Sequence, residues 1–169
     1  MGMRAEYLLV DEQTLDSLMN LGSGALFEKL TELEESGRFE QLDIDKLWDA
    51  LHCSLTGVSA TAPIAGNKLS EAIVGIHNFI EDEEDADFIA CIENNELPEI
   101  LAALEAVNFE EISVGFQLQM LQENDVYPNG IWQDDKSSLI AELQQAFQAL
   151  HIFYKRALVS NCHVLISIL

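Results

Sequence analysis

Apolar residues recur along this chain with two periods, near two and near 3.6, and those periods predict its elements. Ala5 to Val10 is a short apolar run that reads as a strand. Asp11 then caps a helix carrying Leu15, Leu18 and Met19 on one side, and Gly22-Ser23-Gly24 breaks it. A second helix points Leu26, Leu30 and Leu33 inward and Glu28, Glu32 and Glu35 outward, stopping near Gly37. The next stretch, Leu42 to Gly57, reads as one helix around which the rest is organised. Asp43 is its expected N-cap and Asp45 its first-turn acid, both favoured at the positive end of a helix dipole. Ile44, Leu47, Trp48, Leu51 and Leu55 form its buried stripe, and Gly57 supplies the left-handed stop.

Val58 to Asn67 is small, polar and punctuated by Pro63 and Gly66, which predicts a surface loop. Leu69 to Ile76 reads as a helical turn running into a strand, and Phe88 to Ile92 as a buried strand. Pro98 falls in the first turn of a helix whose inner side is Leu97, Ile100, Leu101, Leu104 and Val107. Between Phe109 and Met120 the apolar residues satisfy both periods. Tyr127-Pro128-Asn129-Gly130 is a turn by its local chemistry. A long helix follows from Asp135 to about Val159, with Leu139, Leu143, Phe147, Leu150, Tyr154 and Ala157 inside. The closing CHVLISIL is almost unbroken in its apolar character, so it is expected to be buried on both faces at the centre of a sheet. The strands are therefore expected near residues 4–10, 72–76, 87–92 and 162–169. Together they predict one compact, helix-rich domain over residues 1–169, of α/β (or α+β) class: a small mixed sheet with helices packed around it.

Beside the apolar stripe of the central helix runs a polar one: Asp45, Asp49, His52 and Thr56. A carboxylate and an imidazole three residues apart on a helix can meet, and the pairing would favour the charged histidine. This face is a candidate acid–base or ligand-binding site, with Trp48, His77 and Trp132 as further candidates. The competing reading is structural, a histidine at the edge of the core that orients a neighbour. There is no Gly-x-Ser-x-Gly elbow, HExxH, CxxC or phosphate-binding glycine loop, so no catalytic residue, metal ligand or cofactor is assigned.

Charge changes the picture more than any motif. Thirty acids against eight bases leave a net charge of −22 on 169 residues, while 49% hydrophobic content argues for a folded core. Such a chain is unsuited to a nucleic-acid backbone or an anionic membrane surface, and suited to basic proteins, metal ions or small cations. Six acids crowd into seven residues at Glu81, Asp82, Glu83, Glu84, Asp85 and Asp87. Their spacing does not match a calcium-binding EF-hand loop, which leaves a solvated loop or an electrostatic docking patch. Cys53, Cys91 and Cys162 are odd in number and share no metal-ligand spacing, as expected of buried thiols in a reducing compartment. With no signal-peptide pattern and no run of membrane-spanning length, a cytoplasmic location is expected.

The string LDIDKLWDALHCSLTG resembles the signature segment of the YfbM-like family, small bacterial proteins of unknown function. GMRAEYLLVD, KLSEAIVGIHNF, NNELPEILAALEAV and VYPNGIW resemble further segments of that family, in order and at compatible spacing. The resemblance implies a fold and favours a helix in the ambiguous 109–120 region; it brings no catalytic set. Function is therefore expected from charge: a non-enzymatic acidic protein that docks a basic protein partner, with an immunity or antitoxin-like role as one form of it. The alternative is a small enzyme or ligand-binding domain built on the Asp49/His52 face.

Overall fold

The computed structural model describes residues 2–80, 88–129 and 135–169. The apolar run at the end of the chain forms β5 (His163–Ile168), the central strand of a five-stranded sheet. It pairs antiparallel with β1 (Ala5–Val10), from Ala5↔Ile168 to Val10↔His163, and with β4 (Phe88–Ile92), from Phe88↔Ile168 to Ile92↔Val164. β2 (Gln41–Asp45) pairs outside β1, and the short β3 (His77–Asn78) pairs outside β4, giving the order β2-β1-β5-β4-β3. Every pairing is antiparallel, so the class is α+β and the mixed sheet expected above is corrected.

Side chains alternate across a strand, and the two faces of this sheet are covered by different helices. Leu8, Val10, Ile89, Cys91 and Leu165 face α1 (Glu12–Leu18) and α2 (Ser23–Glu35), packing on Leu15, Leu18, Leu26, Leu30 and Leu33. Tyr7, Leu9, Ile92, Val164, Ile166 and Ile168 face a larger core. That core is supplied by α3 (Trp48–Thr56), α4 (Lys68–Val74), α5 (Leu97–Glu105), α6 (Phe109–Gly115), α7 (Leu118–Glu123) and α8 (Lys136–Val159). Asp11 caps α1 through Thr14 N–H and Pro98 lies in the first turn of α5, as the sequence predicts, and Asp135, from which the long helix is expected to run, caps α8 through Ser137 N–H. The ambiguous 109–120 region is helical in two pieces, broken where Phe116 turns extended. Among the described residues no helix is long and apolar enough to cross a membrane.

Two elements differ from expectation. The first part of the Leu42–Gly57 stretch is strand β2, and the helix starts only at Trp48. Ile44 is buried between exposed Asp43 and Asp45, a period of two that the helical reading overlooked. Pairing with β1 satisfies the backbone there, and that long-range gain outweighs the local capping signal. Asp43 accepts instead from Asp45 N–H at 2.6 Å and pairs with Arg4, while Asp45 turns the chain at a φ of 51°. The helix ends as predicted, with Gly57 at a φ of 84°. The strand expected at 72–76 is the end of α4, and the extended segment begins after Gly75. Gly75 has a φ of 86°, and a Cβ there would lie 2.6 Å from Ala90 Cβ, so only glycine lets α4 turn this close to β4.

Candidate functional site

Six polar or charged residues are buried among the described residues: Asp49, His52, Ser59, Ser70, Glu71 and Ser167. All but Ser167 lie on α3, on α4 or in the loop that joins them, and three hydrogen-bonded sets, Asp49 with Ser59, His52 with Ser70, and Glu71, all hold that loop. α3 buries both its apolar stripe and the polar one beside it, because α4 and the 58–67 loop lie against that side. Asp49 and His52 are both 0% exposed.

Asp49 accepts from three donors, one of them shared between its two oxygens. Ala60 N–H donates at 2.6 Å, Tyr127 N–H at 2.8 Å, and Ser59 Oγ lies 3.0 Å from each carboxylate oxygen. A buried carboxylate is tolerated only when its lone pairs are filled in this way. One side chain therefore ties α3 to the 58–67 loop and to the segment before Pro128. Trp48 completes the second tie. Its ring stacks on Tyr127 at 5.6 Å between centroids, and its Nε1–H donates to Met3 O at 3.2 Å. The Tyr127 hydroxyl accepts from Met3 N–H at 2.8 Å, which pins the start of β1 to the same corner.

His52 does not bond to Asp49, contrary to the expected pairing. Its Nδ1 lies 2.8 Å from Val58 O and its Nε2 2.7 Å from Ser70 Oγ. A carbonyl can only accept, so Nδ1 carries the proton and Nε2 accepts from the Ser70 hydroxyl. Ser70 Oγ also accepts from Ile64 N–H at 2.9 Å. Burial lowers the His52 pKa below its ordinary value, against the smaller raising effects of the Val58 carbonyl and of Asp49. The imidazole is neutral, which reverses the expectation of a charged histidine. Thr56 donates to His52 O at 2.8 Å, a bond within the helix end. Glu71 accepts from Gly66 N–H at 3.0 Å and from Lys68 Nζ at 2.8 Å, holding the far end of the loop.

The Ser70–His52 contact has the length of a nucleophile–base pair, but its setting is that of a clamp. Ser70 is 1% exposed, its oxygen is occupied by Ile64 N–H, and Nδ1 is oriented by a carbonyl. The adjoining cavity, between Ser70, Glu71, Gly75 and Phe88, measures about 150 Å³. Ligand pockets generally fall near 300–1,000 Å³. What the arrangement does chemically is to satisfy backbone groups of a loop that would otherwise be unpaired.

The remaining candidates are dispersed. Asp45 is exposed on β2 with Arg4 Nε 3.2 Å away, on a different element from His52. His77 is exposed on β3, its Nε2 2.8 Å from Glu96 Oε1. Trp132 and the run Glu81, Asp82, Glu83, Glu84, Asp85 and Asp87 lie outside the described residues. Burial pushes the Cys53 thiol up to about 11 and that of Cys91 to about 12, so neither is a reactive thiolate. Among the described residues no cluster of His, Cys, Asp and Glu could hold a metal ion. The network members missing from the sequence reading are Ser59, Ser70 and Glu71. Ser70 had one available signal, a hydroxyl on the otherwise apolar side of α4, three residues after its cap Asn67.

The protonation state of His52 sets a pH dependence. In the unfolded chain the imidazole titrates near 6.5, and the folded state holds its pKa lower. Below about 6.5 the unfolded chain therefore binds a proton that the folded state refuses. The stability tied to neutral His52 is fully present above that pH and declines as the pH falls beneath it. The melting temperature of His52→Gln, measured alongside wild type from pH 7.5 to 5.0, should lose part of this slope. Parallel curves would show that His52 does not titrate between the two states.

An antiparallel five-stranded sheet covered by helices on both faces, with a polar network clamping one loop, defines a helix-rich α+β protein. The chain belongs to the family described as a domain of unknown function (DUF1877), whose profile matches residues 1–167. It is 30% identical over 166 residues to Protein YfbM of Escherichia coli (strain K12), covering 98% of this chain and 97% of that one. The crystal structure of YfbM from Escherichia coli, a protein of unknown function, superposes with a TM-score of 0.77 at 28% identity, over 99% of this chain and 100% of the other.

Proposed function

We propose that this chain is a non-enzymatic, cytoplasmic binding protein whose acidic surface docks a basic protein partner. The observation that carries this reading is the inward commitment of the Asp49/His52 face. Its polar atoms are spent on the protein's own backbone and side chains, while the chain as a whole carries a net charge of −22. Several of the few bases are already matched internally: Arg4 by Asp43 and Asp45, Lys29 by Glu32, Lys68 by Glu71 and Glu99, Lys155 by Glu105, and Arg156 by Glu40. A field of one sign steers encounter with a partner of the other. An immunity or antitoxin-like role would use it to cover a basic cleft. The alternative, a small enzyme or ligand binder, draws on the 2.7 Å Ser70–His52 contact.

Affinity capture with the immobilised chain, followed by stopped-flow association of the purified captured protein, tests this. The captured protein should be basic, and association should slow as salt shrinks the Debye length from about 10 Å at 0.1 M to about 3 Å at 1 M. Replacing Glu81, Asp82, Glu83, Glu84 and Asp85 by Gln should slow association at low salt and leave dissociation less changed. An on-rate indifferent to both salt and neutralisation would remove the electrostatic reading. A stably folded Ser70→Ala variant that loses binding or turnover would put the alternative in its place.

A further inference from the structure

The docking surface can be narrowed to one edge of the sheet. β3 pairs with β4 alone, and among the described residues nothing pairs with its outer edge. Beside that edge a cleft of about 440 Å³ runs between the α1–α2 corner and the strand, lined by Met19, Leu21, Gly22, His77, Asn78 and Phe79 among others. Met19 is 56% exposed and Leu21 36%, two large apolar side chains next to unpaired strand backbone. β3 is only two residues long, itself a common way of blunting an edge, so a partner gains few main-chain bonds from it and the apolar side chains of the cleft carry the selectivity. No lysine, arginine or proline lines the cleft.

We propose that this cleft is the groove for an extended basic segment of the partner, which adds alongside β3 and seats an apolar side chain between Met19 and Leu21. The inference rests on the docking reading above and specifies where it acts. Strand addition supplies affinity through main-chain hydrogen bonds, and side-chain pockets beside the edge supply selectivity. Charge selects the occupant. A second copy of this chain would bring another −22 to the interface and is repelled, whereas a basic segment is attracted. Asp16 is exposed on the helix that carries Leu18 to the cleft, and Glu96 holds the His77 ring at its other end.

The probes are two capped peptides of equal charge, Lys-Arg-Val-Leu-Val-Arg-Lys and Lys-Arg-Ser-Ser-Ser-Arg-Lys, titrated into the ¹⁵N-labelled protein at low salt. The apolar-centred peptide should shift the amides of Met19, Leu21 and His77 to Ile80, and bind about tenfold more tightly than the serine peptide. Met19→Ser with Leu21→Ser, both at exposed positions, should erase that preference while the protein stays folded. Equal affinity for the two peptides, or shifts confined to other surfaces, would overturn the groove and leave acidic docking standing. Binding of neither peptide would count against the docking reading itself.

Discussion

Deletion of Val164 to Leu169 should leave no cooperatively folded protein. Val164, Leu165, Ile166 and Ile168 are all completely buried, and they feed both cores, Leu165 on the α1–α2 side and the others opposite. The strand is hydrogen-bonded to β1 along one edge and to β4 along the other. Its loss would strip the core and split the sheet into two pairs with new unpaired edges, a template for aggregation. Truncating even one buried Leu or Ile to Ala costs about 2–5 kcal/mol, and total domain stability is only about 5–15 kcal/mol. Soluble expression and circular dichroism provide the measurement. A folded monomer with a melting temperature near wild type would show that β5 is dispensable and that another segment closes the sheet.

Asp49→Ala should be the most damaging single substitution in the polar network, by about 4 kcal/mol or more. The variant leaves Ala60 N–H and Tyr127 N–H without their acceptor, while the Ser59 hydroxyl keeps Thr61 Oγ1 at 2.9 Å. Each orphaned buried donor costs about 1–3 kcal/mol. Asp49→Asn should cost less, about 1–3 kcal/mol, because one oxygen survives while the new amide hydrogens face a donor. Urea unfolding of both variants orders them. If Asp49→Asn folds with wild-type stability and yet abolishes binding to a purified partner, the carboxylate is a functional group and the clamp assignment fails. Substitution effects at Asp49 and His52 should not simply add, because the two side chains lie one helical turn apart and hold adjacent residues of the same loop, Ser59 and Ala60 in one case and Val58 in the other.

Much of this molecule was legible because its signals are local. The cap Asp11, Pro98 in a first turn, Gly57 as a left-handed stop and the apolar periods of α1, α2, α5 and α8 each act within a few residues. The central place of β5 was legible too, because burial on both faces must remove the polar positions from a strand. What misled was a stretch where two local readings compete. Asp43 and Asp45 resemble the start of a helix, and Gln41 to Asp45 also alternates as a strand.

By itself, the sequence determined the apolar faces of α1, α2, α5 and α8, several helix starts and stops, and the sign and size of the net charge. Those follow from side-chain chemistry and from spacing along one chain. Only the tertiary structure decided that Gln41 to Asp45 joins β1 as a strand, that all five strands run antiparallel, and that Asp49 and His52 bond past each other. Asp49 meets Tyr127 N–H across 78 positions of sequence, and His52 meets Ser70 across 18. Partners so far apart leave no periodic trace. Which of several possible partners a buried carboxylate or imidazole takes is settled when packing excludes water, because every polar group enclosed must then find its match within reach.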